Sequence, residues 1–208
     1  VARRSTSGTL ASLAVVAALI ATYLAGLEGA MFGGVLVLDA LSAAARAGIL
    51  ILTLLAIAFT NGGKRLPHHA EYLAIMLLAA AGFTVMAAAR QLLVAFLALE
   101  LASLSLYVLA GFDKSRAESA EGALKYFLFG GISAAFLLFG FSLVYGLTGS
   151  IDLTEISRRL ASQPPTILLT IALVMILVAF GFKAAAAPFH LWAPDVYEGA
   201  RSEEHTSE

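Results

Sequence analysis

The sequence contains no cysteine among its 208 residues. This absence excludes disulfide bonds, thiolate-held metal sites and cysteine-ligated iron–sulfur clusters. Any redox chemistry linked to this chain must therefore take place in another chain.

Charge is scarce as well. Only 13% of the residues are charged, against about 25% in soluble domains. Lys and Arg number 13 and Asp and Glu 14, for a net charge of −1, so there is no basic field for nucleic acid. Hydrophobic residues make up 60% and the mean hydropathy is +0.90. So small a chain cannot cover its surface with so few charges, which excludes a soluble globular domain, a disordered chain and a coiled coil.

Long apolar stretches take the place of the missing charge. A helix needs about 20 apolar residues to cross the hydrocarbon core of a bilayer. Six stretches qualify, at 9–27, 40–59, 72–89, 91–110, 120–147 and 166–187. No alternating pattern with barrel-type turn spacing is present. The sequence therefore predicts an all-α polytopic membrane protein with about six transmembrane helices, in a single transmembrane domain over residues 1–200.

Local signals refine the ends of these helices. Asp39 is placed to cap the second. Ser115 and Glu118 have capping-box spacing, which predicts that the fifth helix begins before its apolar part. Arg90 alone separates the third and fourth stretches, which implies a very tight turn or a short hairpin.

Basic residues predict the orientation. The side that faces the N-terminus receives six of them: Arg3, Arg4, Lys64, Arg65, Lys114 and Arg116. The other side receives three: Arg90, Arg158 and Arg159. The positive-inside rule then places the N-terminus in the cytoplasm.

Residues 151–160 alternate apolar and charged side chains with helical spacing. This pattern favours a short amphipathic helix on the membrane surface, and a plain solvated loop is the alternative.

Charges inside the bilayer are the most informative residues, because each costs about 2.5–3.5 kcal/mol at the helix centre and usually faces a bundle interior or a wet cavity. Glu100 lies about 14 Å beyond Gln91 along its helix, near the midplane. Its alternative role is to lock two helices together. Lys125 lies about 15 Å along its helix counted from Ser115, or about 7 Å counted from Ala120, so it is either deep or close enough to the end to reach the surface.

Lys183 precedes Pro188 by five residues. Proline lacks an N–H and clashes with the carbonyl four residues back, so we expect a helix break beside a lysine. Broken helices at membrane depth occur only where they are buried or line a wet cavity. The pattern indicates transport, and an ordinary helix end is the alternative. Trp192, just beyond, suits an interfacial aromatic position.

Four further side chains are weaker candidates. Arg46 lies two turns inside its helix, where a structural role is expected. His68 and His69 sit in a polar loop and are expected to be solvated rather than to bind a ligand. His190 has a side chain whose reference pKa near 6.5 suits proton transfer, and packing is an equal alternative.

Several strings resemble one family. Residues 99–107 (Leu-Glu-Leu-Ala-Ser-Leu-Ser-Leu-Tyr) resemble the fifth transmembrane helix of the N subunit of bacterial NADH–quinone oxidoreductase, respiratory complex I. Residues 121–127 are similar to the start of its sixth helix, and 32–39 to the loop before its third. Residues 181–183 and 188–200 (Pro-Phe-His-Leu-Trp-Ala-Pro-Asp-Val-Tyr-Glu-Gly-Ala) resemble its broken seventh helix.

The resemblance implies an antiporter-like, proton-translocating subunit of a translocase, coupled to quinone reduction elsewhere in the complex. It implies that Glu100, Lys125 and Lys183 are the glutamate and lysines of the family's fifth, sixth and seventh helices. It implies no cofactor and no metal in this chain; NADH, flavin, iron–sulfur clusters and quinone belong to other subunits. The expected partners are other membrane-arm subunits, the lipid bilayer and protons, in a bacterial inner membrane.

The chain departs from the family pattern after Ala200. Where the family continues with a Pro-containing string, residues 201–208 read Arg-Ser-Glu-Glu-His-Thr-Ser-Glu, which matches a translated sequencing-adapter oligonucleotide. We expect these residues to be an artefact, and a real polar tail after a membrane helix is the alternative. We expect the chain to be a fragment of a larger helical bundle, without the first helix and those after the seventh.

Two alternatives remain at this point. A subunit of a multi-subunit sodium/proton antiporter would carry the same glutamate and lysine, although the string Asp195–Glu198 favours the complex I subunit. A structural membrane subunit would use both residues for assembly only.

Overall fold

In the computed structural model, residues 2–25, 29–63, 68–113, 115–162 and 164–200 are described, with the side chains of 2–5 and 200 left aside. Eight helices lie in these ranges: α1 Ala2–Leu24, α2 Ala40–Gly62, α3 His69–Ala88, α4 Leu92–Ala110, α5 Ala117–Thr148, α6 Leu153–Ala161, α7 Ile167–Lys183 and α8 Ala193–Ala200. Helices α1 to α5 each contain a span long and apolar enough to cross a membrane, and α7 is a shorter apolar helix of 17 residues. The predicted all-α polytopic fold is confirmed.

The chain divides into two compact units. The first consists of residues 1–105 and 150–162, and the second of 106–149 and 163–208. Helix α4 contributes its first part to one unit and its last part to the other, so each unit is described by itself.

The first unit has an apolar core between α1, α2 and α3. Its buried members are Ala11, Val15, Leu50, Ile57 and Leu73. Ile57 is completely buried, although the outer faces of these helices remain apolar and exposed, as expected of helices that face lipid.

Helices α3 and α4 approach closely at one glycine. A Cβ atom at Gly82 would lie 2.7 Å from the Ala98 carbonyl oxygen and 2.7 Å from the Ala102 amide nitrogen. Any larger residue would push the two helices apart, which is why a small residue is needed here.

A β-hairpin precedes α2, and no sequence pattern predicted it. Strands β1 Gly29–Met31 and β2 Leu36–Leu38 pair antiparallel, with Gly29 opposite Leu38. Three-residue strands are too short to show an alternating pattern. Gly33 and Gly34, with φ of 68° and 90°, allow the chain to turn between the two strands.

The predicted tight turn at Arg90 is confirmed, and three contacts hold it. The Arg90 N–H donates to the Val35 carbonyl at 3.0 Å, and the Leu153 N–H donates to the Arg90 carbonyl at 2.9 Å. The Arg90 guanidinium lies 3.0 Å from the Asp152 carboxylate. The turn at Arg90 therefore connects the residue before β2 to the start of α6.

The capping predictions have mixed outcomes. Asp39 caps α2 in a reciprocal box with Ser42, as predicted. Helix α5 does begin before residue 120, but Ser115 does not cap it, because its hydroxyl donates to Asp113 instead.

The predictions for the two histidines at the start of α3 have different outcomes. The prediction that His69 is solvated is wrong: it is 7% exposed as the first residue of α3 and shares a 3.1 Å hydrogen bond with the Ser7 hydroxyl. His68 is exposed beside Glu71.

Part of the orientation and end predictions falls outside the described residues. This applies to Lys64, Arg65, Lys114, the side chains of Arg3 and Arg4, and residues 201–208. The cytoplasmic N-terminus and the artefact at 201–208 therefore stay predictions.

The stretch predicted as amphipathic forms helix α6, so the loop alternative is wrong. Asp152 caps it by accepting the Thr154 and Glu155 N–H groups. Ile156 is buried, and Arg158 and Arg159 donate to the Glu155 carboxylate at 2.7 and 2.5 Å. Placement on a membrane surface stays a prediction.

The Glu155 carboxylate provides a pH test of α6. Its hydrogen bonds from Arg158 and Arg159 lower its pKa to about 2. A carboxyl with a lowered folded-state pKa stabilises the fold above its unfolded pKa of about 4.3, and the stabilisation is lost as the pH falls toward 2. We expect the carboxyl carbon-13 shift of Glu155 to titrate with a midpoint near 2, and the Arg158→Gln, Arg159→Gln double variant to return it to about 4.3. A midpoint near 4 in the unaltered chain would contradict the ion pairs.

Candidate functional site

The second unit contains Lys183 as the last residue of α7. Its side chain is half-buried, and the Nζ atom donates to the Tyr107 hydroxyl at 3.4 Å. The same nitrogen lies 5.9 Å from the centroid of the Tyr107 ring, within cation–π distance. The lysine therefore ends an apolar helix with its amine against the phenol of α4.

The helix break follows at once, as predicted from Pro188. Helix α7 ends before Ala184, the residue whose carbonyl would need the N–H that Pro188 lacks. Turns occupy the following residues, with Ala185 in the left-handed region at φ 49°. Helix α8 then starts at Ala193.

Trp192 compensates for part of the break. Its indole N–H donates to the Phe182 carbonyl at 3.2 Å, and the Ala185 N–H donates to the same carbonyl at 3.0 Å. Trp192 is 8% exposed inside this unit, and its interfacial depth in the membrane stays a prediction. Its hydrogen bond to a helix-end carbonyl explains why it is buried.

An aromatic cluster surrounds Trp192 and Tyr107. Trp192 stacks on Tyr126 with ring centroids 4.5 Å apart and lies 5.0 Å from the Phe182 ring. Tyr107 meets Tyr126 edge-on at 4.5 Å and Phe127 at 5.9 Å. The cluster joins α4, α5, α7 and the turn before α8 around the lysine-bearing end of α7.

Small residues on α5 allow this approach. A Cβ atom at Gly130 would overlap the Tyr107 hydroxyl. One turn along, the Ser133 hydroxyl donates to the Ala179 carbonyl of α7 at 3.1 Å, in a buried contact. Gly131 points elsewhere, with open space around it.

Lys125 has two carboxylate partners. Its Nζ lies 2.6 Å from Asp195 of α8 and 2.8 Å from Glu121, one turn earlier on α5. The lysine side chain is 40% exposed. The Glu121 pairing was readable from the four-residue spacing, but the Asp195 pairing joins residues 70 positions apart and gives no local signal.

Glu100 belongs to the first unit and is half-buried on α4. It lies about 12 Å from Leu92, close to the middle of a 19-residue helix. Lys183 belongs to the other unit.

The two remaining candidates are His190 and Arg46. His190 is exposed in the turn before α8, and its backbone carbonyl accepts the Ala193 N–H at 3.0 Å. Arg46 donates to the Thr22 hydroxyl at 3.4 Å, which fits the structural role expected for it. Within the described ranges no group of three or more His, Cys, Asp or Glu side chains could hold a metal ion.

Residues 89–202 match the model of a family described as NADH:quinone oxidoreductase/Mrp antiporter, transmembrane. The chain belongs to this family. The matched range includes Glu100, Lys125, Lys183 and the break between α7 and α8. The resemblance to complex I N subunits is confirmed by relatives and structures.

Curated relatives carry the subunit N name. The chain is 47% identical to NADH-quinone oxidoreductase subunit N 2 of Acidobacterium capsulatum over 83% of this chain and 36% of the relative. It is 39% identical to F(420)H(2) dehydrogenase subunit N of Methanosarcina mazei over 94% of this chain and 42% of the relative. The chain thus spans about two fifths of these proteins.

Two solved assemblies contain a chain with the same fold. Respiratory complex I from Thermus thermophilus matches with a TM-score of 0.78 at 37% identity, over 93% of this chain and 42% of that chain. The membrane-bound sulfane sulfur reductase, an archaeal respiratory membrane complex, matches with a TM-score of 0.78 at 26% identity, over 92% and 41%. Both are multi-subunit respiratory complexes, and this chain is accordingly a multi-pass, antiporter-like membrane subunit.

The fit between Gly130 and Tyr107 yields a stability prediction. We expect Gly130→Ala to lower the free energy of unfolding by about 1–3 kcal/mol, because the new methyl group overlaps a buried phenol. Gly131→Ala is the matched control and should be neutral or stabilising by up to about 1 kcal/mol. Denaturant unfolding of the complete subunit in detergent measures both, and equal stabilities would contradict the packing described here.

Proposed function

We propose that this chain is part of the proton-translocating membrane subunit of an NADH–quinone oxidoreductase, and that Glu100 and Lys183 belong to its proton relay. Lys125 and His190 are further members, His190 being the weakest. Quinone reduction elsewhere in the complex drives the transfer. This chain itself carries no cofactor in the proposal, and NADH, flavin, iron–sulfur clusters and quinone are handled by other subunits.

The observation that carries the proposal is the half-buried Lys183 at the end of a broken apolar helix. An amine in this position can hold a proton or release it, and its surroundings decide which form is favoured. A carboxylate that moves toward or away from it would load or unload one proton. Glu100 is the carboxylate nearest the middle of an apolar helix in the described chain, and its charge is costly to keep there without a function.

Lys125 would act from a side chain that is 40% exposed. Two carboxylates already contact its amine, so a proton arriving there meets a charged cluster rather than an apolar helix end.

The proposed setting is a bacterial inner membrane, with the N-terminal end in the cytoplasm and other membrane-arm subunits as partners. The multi-subunit assemblies that share this fold support such partners. Lipid surrounds the exposed apolar faces of α1 to α5 in this proposal.

A sodium/proton antiporter subunit is the second candidate, because the family description includes Mrp antiporters. The curated relatives favour the oxidoreductase, since they are named as subunits of NADH-quinone oxidoreductase and F(420)H(2) dehydrogenase. Proton pumping that depends on NADH and not on sodium would support the first candidate; sodium-dependent exchange without an electron donor would overturn it.

The relay is tested in the complete subunit assembled in its complex and reconstituted in vesicles. We expect Lys183→Ala and Glu100→Gln each to lower pumping-coupled quinone reduction by about tenfold or more, because each removes a proton-transfer group. Arg46→Gln is the control for a charge lost from an apolar helix, and it should have a much smaller effect. NADH oxidation with an artificial acceptor reports the amount of assembled complex.

Two results would contradict the relay. Wild-type coupled activity in Lys183→Ala would remove the central residue. A loss of coupled activity that only parallels a loss of assembled complex would indicate the alternative, a structural subunit.

A further inference from the structure

We propose that Tyr107 is the positioning residue of Lys183: its hydroxyl holds the amine in one place through both of its protonation states. This role rests on the proposed function, since it matters only if Lys183 exchanges protons.

The contact itself is the first support. The Lys183 Nζ lies 3.4 Å from the Tyr107 hydroxyl oxygen and 5.9 Å from the ring centroid. A protonated lysine has three donors and no acceptor, whereas a phenol both donates and accepts. The hydroxyl can therefore accept from the ammonium form and donate to the neutral amine. A carboxylate offers only the first of these bonds.

The second support is that the phenol is fixed in place. Tyr107 is 6% exposed, and its ring is held edge-on between Tyr126 and Phe127. Gly130 leaves room for the hydroxyl, since a Cβ atom there would overlap it. A hydrogen-bonding group held by packing keeps its geometry while the charge of its partner changes.

The third support is the position of the amine. Lys183 stands at the last turn of α7, where the helix ladder ends and the chain changes direction. The hydrogen bond to the Tyr107 hydroxyl directs the amine toward α4.

Tyr107→Phe tests the role in the complete subunit within its complex. The ring and its edge contacts remain, and only the hydroxyl is lost. We expect coupled proton pumping to fall by about threefold to tenfold at neutral pH. Because a hydrogen bond from a charged donor is stronger than one between neutral groups, the ammonium form loses more than the neutral amine, and the alkaline limb of the pumping profile should move to lower pH.

The matched control is Tyr145→Phe, which removes a hydroxyl from an exposed tyrosine of α5 and should leave both rate and pH profile unchanged. The other titratable side chains on α5, which packs against α7, are Glu118, Glu121, Lys125 and Tyr126. All are identical in the variant and the wild type, so they do not account for a shift between them.

The outcomes separate this role from the proposed function. A wild-type rate and profile in Tyr107→Phe, with Lys183→Ala inactive, would overturn the positioning role alone. A uniform loss at every pH, in proportion to the assembled complex, would make Tyr107 a packing residue and also overturn it. Full activity in Lys183→Ala would instead overturn the relay.

Discussion

Every backbone polar group within a lipid-facing helix must find its partner inside the protein, because the hydrocarbon core offers none. The end of α7 is where this constraint is hardest to meet. The break leaves the Phe182 carbonyl without a continuing helical partner, and the Trp192 indole and the Ala185 N–H both donate to it. The burial of Trp192, its stacking on Tyr126 and the course of the chain into α8 all follow from satisfying this one helix end.

Close helix approach is the second condition, and glycine and serine provide it. Gly130 admits the Tyr107 phenol, and Gly82 brings α3 against α4 within the other unit. Ser133 then binds a carbonyl of α7 directly. Lipid tails are as apolar as leucine, so association of these helices depends on such packing and hydrogen bonds rather than on hydrophobic burial.

Much of this architecture was predictable because a bilayer imposes one strong rule: about 20 apolar residues for each crossing helix. Helices α1 to α7, the Asp39 cap, the turn at Arg90 and the break before Pro188 were predicted from the sequence, whereas helix α8 was not. The hairpin at residues 29–38 was not, because its strands are too short to show a period. The burial of His69 was missed because its partner Ser7 is 62 positions away.

The site shows the same limit. Lys183 was predicted from a lysine beside a proline break, whereas its contact with Tyr107 depends on three helices and a glycine. Asp195 was part of the string that favoured the complex I subunit, yet nothing in that string identified Lys125 as its partner. Local rules found the ionisable groups, and only the tertiary packing determined what each one touches.

The sequence separations of the lysine contacts determine the order in which these contacts can form. Lys125 and Lys183 reach Asp195 and Tyr107 across 70 and 76 positions. Glu121, in contrast, is only four positions from Lys125, a spacing at which ion pairs form within a single helix. As the chain is made from its N-terminus, Glu121 is available to Lys125 as soon as α5 forms. Asp195 can join the pair only after α7 and α8 have followed.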